Sequence, residues 1–261
     1  MGTVKKALAF FLGFVVVCTA IVFLFPREKA FSRDAVIRIG AGNDISGILM
    51  EEITEELSGT YTLHQTIDMS SFADCCSNTA QWALNAAEIN VGFFCSHIAN
   101  YTVQKNDKVM IYAPVVMNAE LIVYKEDMPW EAVRTVGVTQ GREQEKNLAS
   151  KAYPQIEAFR DISQKGILYA LEDGQVDADI LDISYAAGVP DYKTRPLIGR
   201  DYISYVLVVD KEFAGTEAFS DFLKGYNRAV RKLNDKAVLA ERLQTTEEWL
   251  SGKQLKFLEI D

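Results

Sequence analysis

From Ala35 onward, apolar runs of strand length alternate with longer segments of helical period. That alternation is the pattern of an α/β fold with mostly parallel strands. Ala35–Gly40 reads as a first strand, and the turn at Gly42, Asn43 and Asp44 leads into a helix over Ile45–Leu57. In that helix Ile45, Ile48, Leu49, Ile53 and Leu57 share one face, with Glu51, Glu52, Glu55 and Glu56 mostly opposite. Tyr61–Met69 alternates as a second strand, Asp74–Ala87 reads as a helix and Ile89–Phe94 as a third strand. Lys108–Pro114 and Glu120–Tyr124 form an extended stretch, expected to break at Pro114 and Asn118. A second unit follows. Thr135–Val138 is a short buried strand, Gln140-Gly141-Arg142 opens a helix that Pro154 stops, and Ser163–Leu171 is helical. Val176–Leu181, Thr194–Ile198 and Tyr202–Val209 read as strands before one long amphipathic helix from about Thr216 to Leu243. The picture is two small α/β lobes, with the chain crossing between them near 114–120 and 199–204.

The 19 residues Ala7–Phe25 carry no charge and follow Lys5 and Lys6. This run is long enough to cross a bilayer and has the form of an export signal or signal anchor. No small-residue cleavage site follows it, so the reading favours an uncleaved anchor over residues 1–26, with the remaining chain outside the cytoplasm. Cys18 lies inside the run behind Val15, Val16 and Val17, which does not fit a lipobox. Without Lys5 and Lys6 the chain keeps 25 of its 27 basic side chains against 36 acidic ones, a net charge of −11. Such a balance argues against a nucleic-acid partner.

The order of these pieces resembles the type II solute-binding proteins of ABC importers, the group that includes sulfonate, nitrate and thiamine-precursor binders. The resemblance spans about residues 35 to 245. It is carried by IRIGAGNDISGILMEEI, VMIYAPVVMNAELIVYKED, VGVTQGREQEKNLA and ALEDGQVDADILD. It implies two lobes, 35–116 with 204–250 and 117–203, closing by a hinge around a ligand. It also implies a monomer that delivers its ligand to a permease and ATPase, with no catalysis required. The stretch DCCSNTAQWALNAAEINVGFFCSHI is further similar to binding components of anaerobe transport systems for organometal compounds, whose relatives can carry selenocysteine in the adjacent cysteine pair.

Outside the apolar run the chain has Cys75, Cys76 and Cys95. With Asp74 as helix cap, Cys75 and Cys76 would sit in a first turn, where unpaired N–H groups and the helix dipole favour thiolate. Thiolates select soft metals, and His97 could add a nitrogen ligand. These three cysteines are therefore the candidate grip on a thiophilic metal or organometal. The bland readings are a disulfide from Cys95 to either partner, or inert buried thiols; C-C-x₁₈-C matches no zinc-finger spacing. His64 reads as structural or solvent-facing.

Further cleft candidates follow from position. Asn43, Asp44 and Ser46 stand at a helix N-terminus after the first strand, with Asp44 equally a plain cap. Thr139, Gln140, Gly141 and Arg142 occupy the equivalent place in the second lobe, where Arg142 either meets an anionic group or pairs with Glu143 or Glu145. Asp179 and Asp182 flank a buried strand, Asp182 being a contact for a cationic ligand or a cap. Asn118 would line the hinge. GAGNDISG is no dinucleotide fingerprint, since the last glycine of G-x-G-x-x-G would fall on Ile45. Two alternatives remain: an organic ligand such as a sulfonate, amino acid or pyrimidine alongside a structural disulfide, and a thiol-dependent enzyme built on Cys95 and His97.

Overall fold

The chain enters its first sheet through Val36 and Ile37, pinned by one side chain: Asn90 donates to Val36 O at 2.6 Å and accepts from Arg38 N at 2.8 Å. A computed structural model describes residues 36–58, the backbone of 65–68, and 84, 86 and 88–261. The apolar run Ala7–Phe25, His64, Cys75, Cys76 and most of the helix expected over Asp74–Ala87 lie outside these residues. Among the described residues no helix is long and apolar enough to cross a membrane.

β1 (Arg38–Ala41) lies between β2 (Gln65–Asp68) and β3 (Val91–Cys95), parallel to both. α1 (Ile45–Leu57) follows β1, and α2 (Ser96–Lys105) follows β3. β4 (Val109–Met117) then leaves for the second lobe, and β10 (Ile203–Asp210) returns between β3 and β4, antiparallel to each. β11 (Lys256–Phe257) completes the order β11-β4-β10-β3-β1-β2. The second sheet runs β7 (Ala158–Ile162), β6 (Thr135–Thr139), β8 (Ala178–Asp182), β5 (Glu120–Tyr124) and β9 (Lys193–Pro196). Its helices are α3 (Glu143–Ala152), α4 (Ile167–Glu172) and α5 (Ile183–Ala187), and α6 (Glu217–Leu233), α7 (Lys236–Arg242) and α8 (Glu247–Leu250) follow β10.

The sheets are mixed rather than mostly parallel. Four described pairings are parallel and five antiparallel. Strands linked through helices stay parallel, whereas the strands that carry the chain between lobes, β4, β5 and β10, insert antiparallel. Pro114 does not break its strand: it sits within β4 opposite Val206, where the β4–β10 register slips. A register irregularity accommodates a residue with no N–H to donate. The turn falls at Asn118, whose φ is 59°. The long C-terminal helix is divided because Asp235 caps a new start, accepting from Ala237 N and Val238 N. β7 carries no apolar alternation, being an edge strand largely open to solvent.

α1 buries Ile45, Leu49, Ile53 and Leu57 against α6. A single apolar cluster then runs from these residues through Tyr205 and Val115 to Leu121, Leu181 and Ile183 of the second lobe. Smaller clusters back the other face of each sheet, around Phe94 and Val206 in the first lobe and around Val136 and Val138 in the second.

Candidate functional site

The C-terminal ends of β1, β6 and β8 meet where the lobes face each other, the place at which open α/β sheets gather ligand groups. Asp44 caps α1, its Oδ1 accepting from Ser46 N at 3.0 Å. Asp182 caps α5 by accepting from Ser184 N at 2.9 Å. Both aspartates thus perform the plain capping role, and both also do more. Asp182 Oδ1 accepts from Ile45 N at 3.1 Å, so a carboxylate of the second lobe serves the first N–H of the first lobe's α1.

Gly141, at φ 82°, ends β6 in a tight turn closed by Arg142 N donating to Thr139 O at 3.1 Å. The left-handed φ is one that glycine adopts without steric cost. The turn sends the Arg142 side chain inward rather than to the surface, with 8% of the residue exposed. Its guanidinium lies 3.2 Å from Glu145, 3.5 Å from Glu120 and 3.6 Å from Asp44. It also donates to the Tyr205 hydroxyl at 3.4 Å. Tyr205 donates in turn to Asp44 Oδ2 at 2.7 Å, with Asp182 Oδ2 3.2 Å away.

Three largely buried carboxylates thus flank one guanidinium, and a fourth, Asp182, is linked to it through the Tyr205 hydroxyl. Glu120 and Asp182 are register partners on β5 and β8. Burial first, then the Glu145 charge, pushes the Glu120 carboxyl up to about 8, although Arg142 and the Ser204 hydroxyl pull the other way. Burial and then Asp44 raise Asp182 to about 7. Protonation of Asp182 suits the geometry: the one Tyr205 proton serves Asp44, and a protonated Asp182 can donate to the Tyr205 oxygen. Glu120 is held by Tyr202 at 2.7 Å and Ser204 at 2.6 Å. Beside the cluster, a groove of about 450 Å³ opens between Asn43, Asp44, Ile48 and Glu51 of the first lobe and Ser184 and Tyr185 of the second.

Of the residues marked from sequence, the structure brings Asn43, Asp44, Thr139, Gly141, Arg142 and Asp182 to this seam. Asn118 stands apart where the chain crosses between the sheets: it donates to Asp201 and Gln254 O, each at 2.9 Å, and accepts from Tyr202 N at 3.0 Å, tying the two crossing segments together. Cys95 ends β3 opposite Tyr205 and is buried in the apolar cluster. His97 is exposed on the first turn of α2, so the thiol and the imidazole occupy different surroundings. Among the described residues no group of three or more His, Cys, Asp or Glu side chains is arranged to hold a metal ion. The Arg142–Glu145 pair expected from sequence forms, but buried and not at the surface, whereas Glu120 and Tyr205 are not among the sequence candidates. A glutamate opening the apolar run ELIVY was the one available signal, because a charge within a buried strand needs a partner.

No family model matches the chain, and no curated protein matches it by sequence. Solved structures do share its fold. The ligand-binding component of an ABC-type import system from Staphylococcus aureus, with zinc bound, is 15% identical with a TM-score of 0.68, covering 86% of each chain. The alkanesulfonate-binding protein SsuA from Xanthomonas axonopodis pv. citri, bound to MOPS, is 15% identical with a TM-score of 0.59 over 87% of each chain. The methionine-binding protein MetQ is 11% identical with a TM-score of 0.61, over 87% of this chain and 100% of that one.

Proposed function

We propose that this chain is the solute-binding component of an ABC importer, working outside the cytoplasm and held to the membrane by Ala7–Phe25. Its solute in this reading is a cationic, thiophilic metal or organometal species. The observation that carries the reading is the seam itself: Asp44 and Tyr205 of one lobe meet Arg142 and Asp182 of the other, so a small solute there is gripped from both sides. The fold neighbours support the class: one is the ligand-binding component of an ABC-type import system, and the other two are an alkanesulfonate-binding and a methionine-binding protein. A permease and its ATPase are then the partners, and no bond need be made or broken.

Charge chooses among ligands. A helix N-terminus is an anion site, but the first N–H of α1 is already served by Asp182. With four carboxyl groups gathered near one guanidinium, the seam offers a cation several acceptor oxygens and a sulfonate a single cationic partner that is already paired. The Staphylococcus aureus protein with zinc bound is the neighbour consistent with a metal cargo. The thiol half of the grip is Cys75, Cys76 and Cys95; Cys95 ends its strand beside Tyr205. Soft thiolates would take the metal centre while the carboxylates balance residual positive charge.

Equilibrium dialysis of the full chain in detergent, handled anaerobically without added thiol, tests this with a monovalent organomercurial and with MOPS. In a Cys18→Ser background the first mercurial equivalent should bind more tightly than later ones, because several thiolates share it, and Cys95→Ser should weaken that first equivalent roughly tenfold or more, about 1.4 kcal/mol. MOPS should not bind. Tight MOPS binding by a chain whose cysteines persist as a disulfide would overturn the reading in favour of an organic anion.

A further inference from the structure

In the described structure the lobes are joined by side chains of the protein itself. A buried guanidinium needs partners close by, because desolvation otherwise costs more than the pairing returns. Arg142 finds two of its own, Glu120 and Glu145, within the second lobe, but Asp44 and Tyr205 belong to the first. Asp182 makes the same crossing in the other direction, accepting from Ile45 N. Two residues beyond Arg142, Gln144 supplies a separate bridge. Its Nε2 donates to Ile203 O at 3.2 Å, at the start of β10 in the first sheet, and its Oε1 accepts from Ser96 Oγ at 2.6 Å, at the start of α2. The apolar cluster is also continuous between lobes, so the seam is dry at its base as well as bonded at its rim.

These polar groups satisfy each other across the seam, with Arg142 positioned among the carboxylates where a cationic group of a solute would otherwise sit. We propose that Arg142 and Gln144 form a latch that keeps the lobes together without solute, so that solute enters only after the latch opens and then takes the place of the Arg142 guanidinium. The proposal rests on the solute-binding reading of the same seam and adds its regulation. A solute then gains only the difference between its own contacts and those of the latch, which lowers apparent affinity by the fraction of time the seam is open.

The test is the distance between lobes in the full chain with no solute added. Single-molecule fluorescence transfer between dyes on non-canonical residues at exposed Lys105 and Glu172 reads it without touching the cysteines. Wild-type chain should populate mainly one short-distance state. Arg142→Gln and Gln144→Ala should each shift the ratio of short to long states by roughly tenfold, as expected for loss of one or two bridging hydrogen bonds. Gln144 is only half-buried, so its variant remains folded if the larger change at Arg142 is not tolerated. A wild-type chain that is mainly open, or a Gln144→Ala chain with an unchanged distance distribution, overturns the latch. Either result leaves the dialysis experiment intact, and failure to bind any cation there would instead remove the solute reading.

Discussion

Asp179 is the least comfortable residue in the second lobe. It is the second residue of β8, fully buried, and neither carboxyl oxygen has a hydrogen-bond partner among the described residues. A Cβ added at Gly137 would stand 2.1 Å from Oδ1, so the glycine is what makes room for the carboxyl. Desolvation pushes its pKa up to about 8, from the ordinary value of 3.8. The folded state therefore holds a proton that the unfolded state releases between about pH 4 and 8, and stability is lost as pH rises through that window. Asp179→Asn removes this titration. The melting midpoint of the wild type should fall between pH 5 and 9 more steeply than that of the variant, with the variant gaining about 4 kcal/mol relative to wild type across the range, roughly three pH units at about 1.4 kcal/mol each. Parallel curves would mean that Asp179 has partners that hold its charge. The sequence shows Asp179 only as one of two acids flanking an apolar run; which acid is orphaned and which caps a helix depends on what lies across the sheet. Asp44 and Asp182 were legible as caps because capping is local, whereas Tyr205 was hidden in an apolar strand whose hydroxyl partners come from 161 and 23 residues away.

At the scale of elements, α1 and α6 pack so closely that one glycine sets their separation. A Cβ added at Gly225 would meet Leu57 Cδ2 at 2.7 Å and Cγ at 3.0 Å, and Leu57 is itself buried. Above this contact Glu52, 1% exposed, is paired with Lys232 of α6 at 3.0 Å and Arg242 of α7 at 2.5 Å, so the helices cannot slide without stranding a buried charge. Gly225→Val should therefore cost about 1–3 kcal/mol through overpacking, a drop of several degrees in melting temperature. Gly215→Ala serves as the control, since its added Cβ would meet nothing within 4 Å. Equal melting of the two variants would show that the helices can separate freely. The apolar stripe of α1 was readable at helical spacing, and so was its N-terminal cap. The division of α6 from α7 was not, because Asn234 and Asp235 interrupt an amphipathic pattern that continues in phase on both sides. β7 was missed for the opposite reason: an exposed edge strand has no buried face to imprint a period of two on its residues.

For the molecule as a whole, protons and lobe closure should be linked. Glu120 faces Arg142, Glu145, Asp182, Tyr202 and Ser204, while Asp182 faces Asp44, Arg142, Tyr205, Ser184 and the N–H of Ile45. With the seam shut, burial and neighbouring carboxylates raise both groups, Glu120 to about 8 and Asp182 to about 7. When the seam opens, water reaches these side chains and their pKa values fall towards those of ordinary carboxylates. The shut form therefore binds more protons than the open form between roughly pH 5 and 8, and by linkage low pH favours closure while rising pH favours opening. In interlobe distance measurements without solute, the short-distance state should be most populated near pH 6 and decline by pH 9. Asp182→Asn should flatten that decline, since an amide can donate to the Tyr205 oxygen at every pH, while Glu120→Gln removes the second titrating group. A closed population that stays constant from pH 6 to 9, or that grows with pH, would show the carboxylates ionised throughout and carried by Arg142 alone. The same linkage has a consequence for cargo. Each proton lost from the seam adds a negative charge where a cationic solute would sit, so a solute that carries only positive charge should both meet a more open seam and bind more strongly at pH 8 than at pH 6.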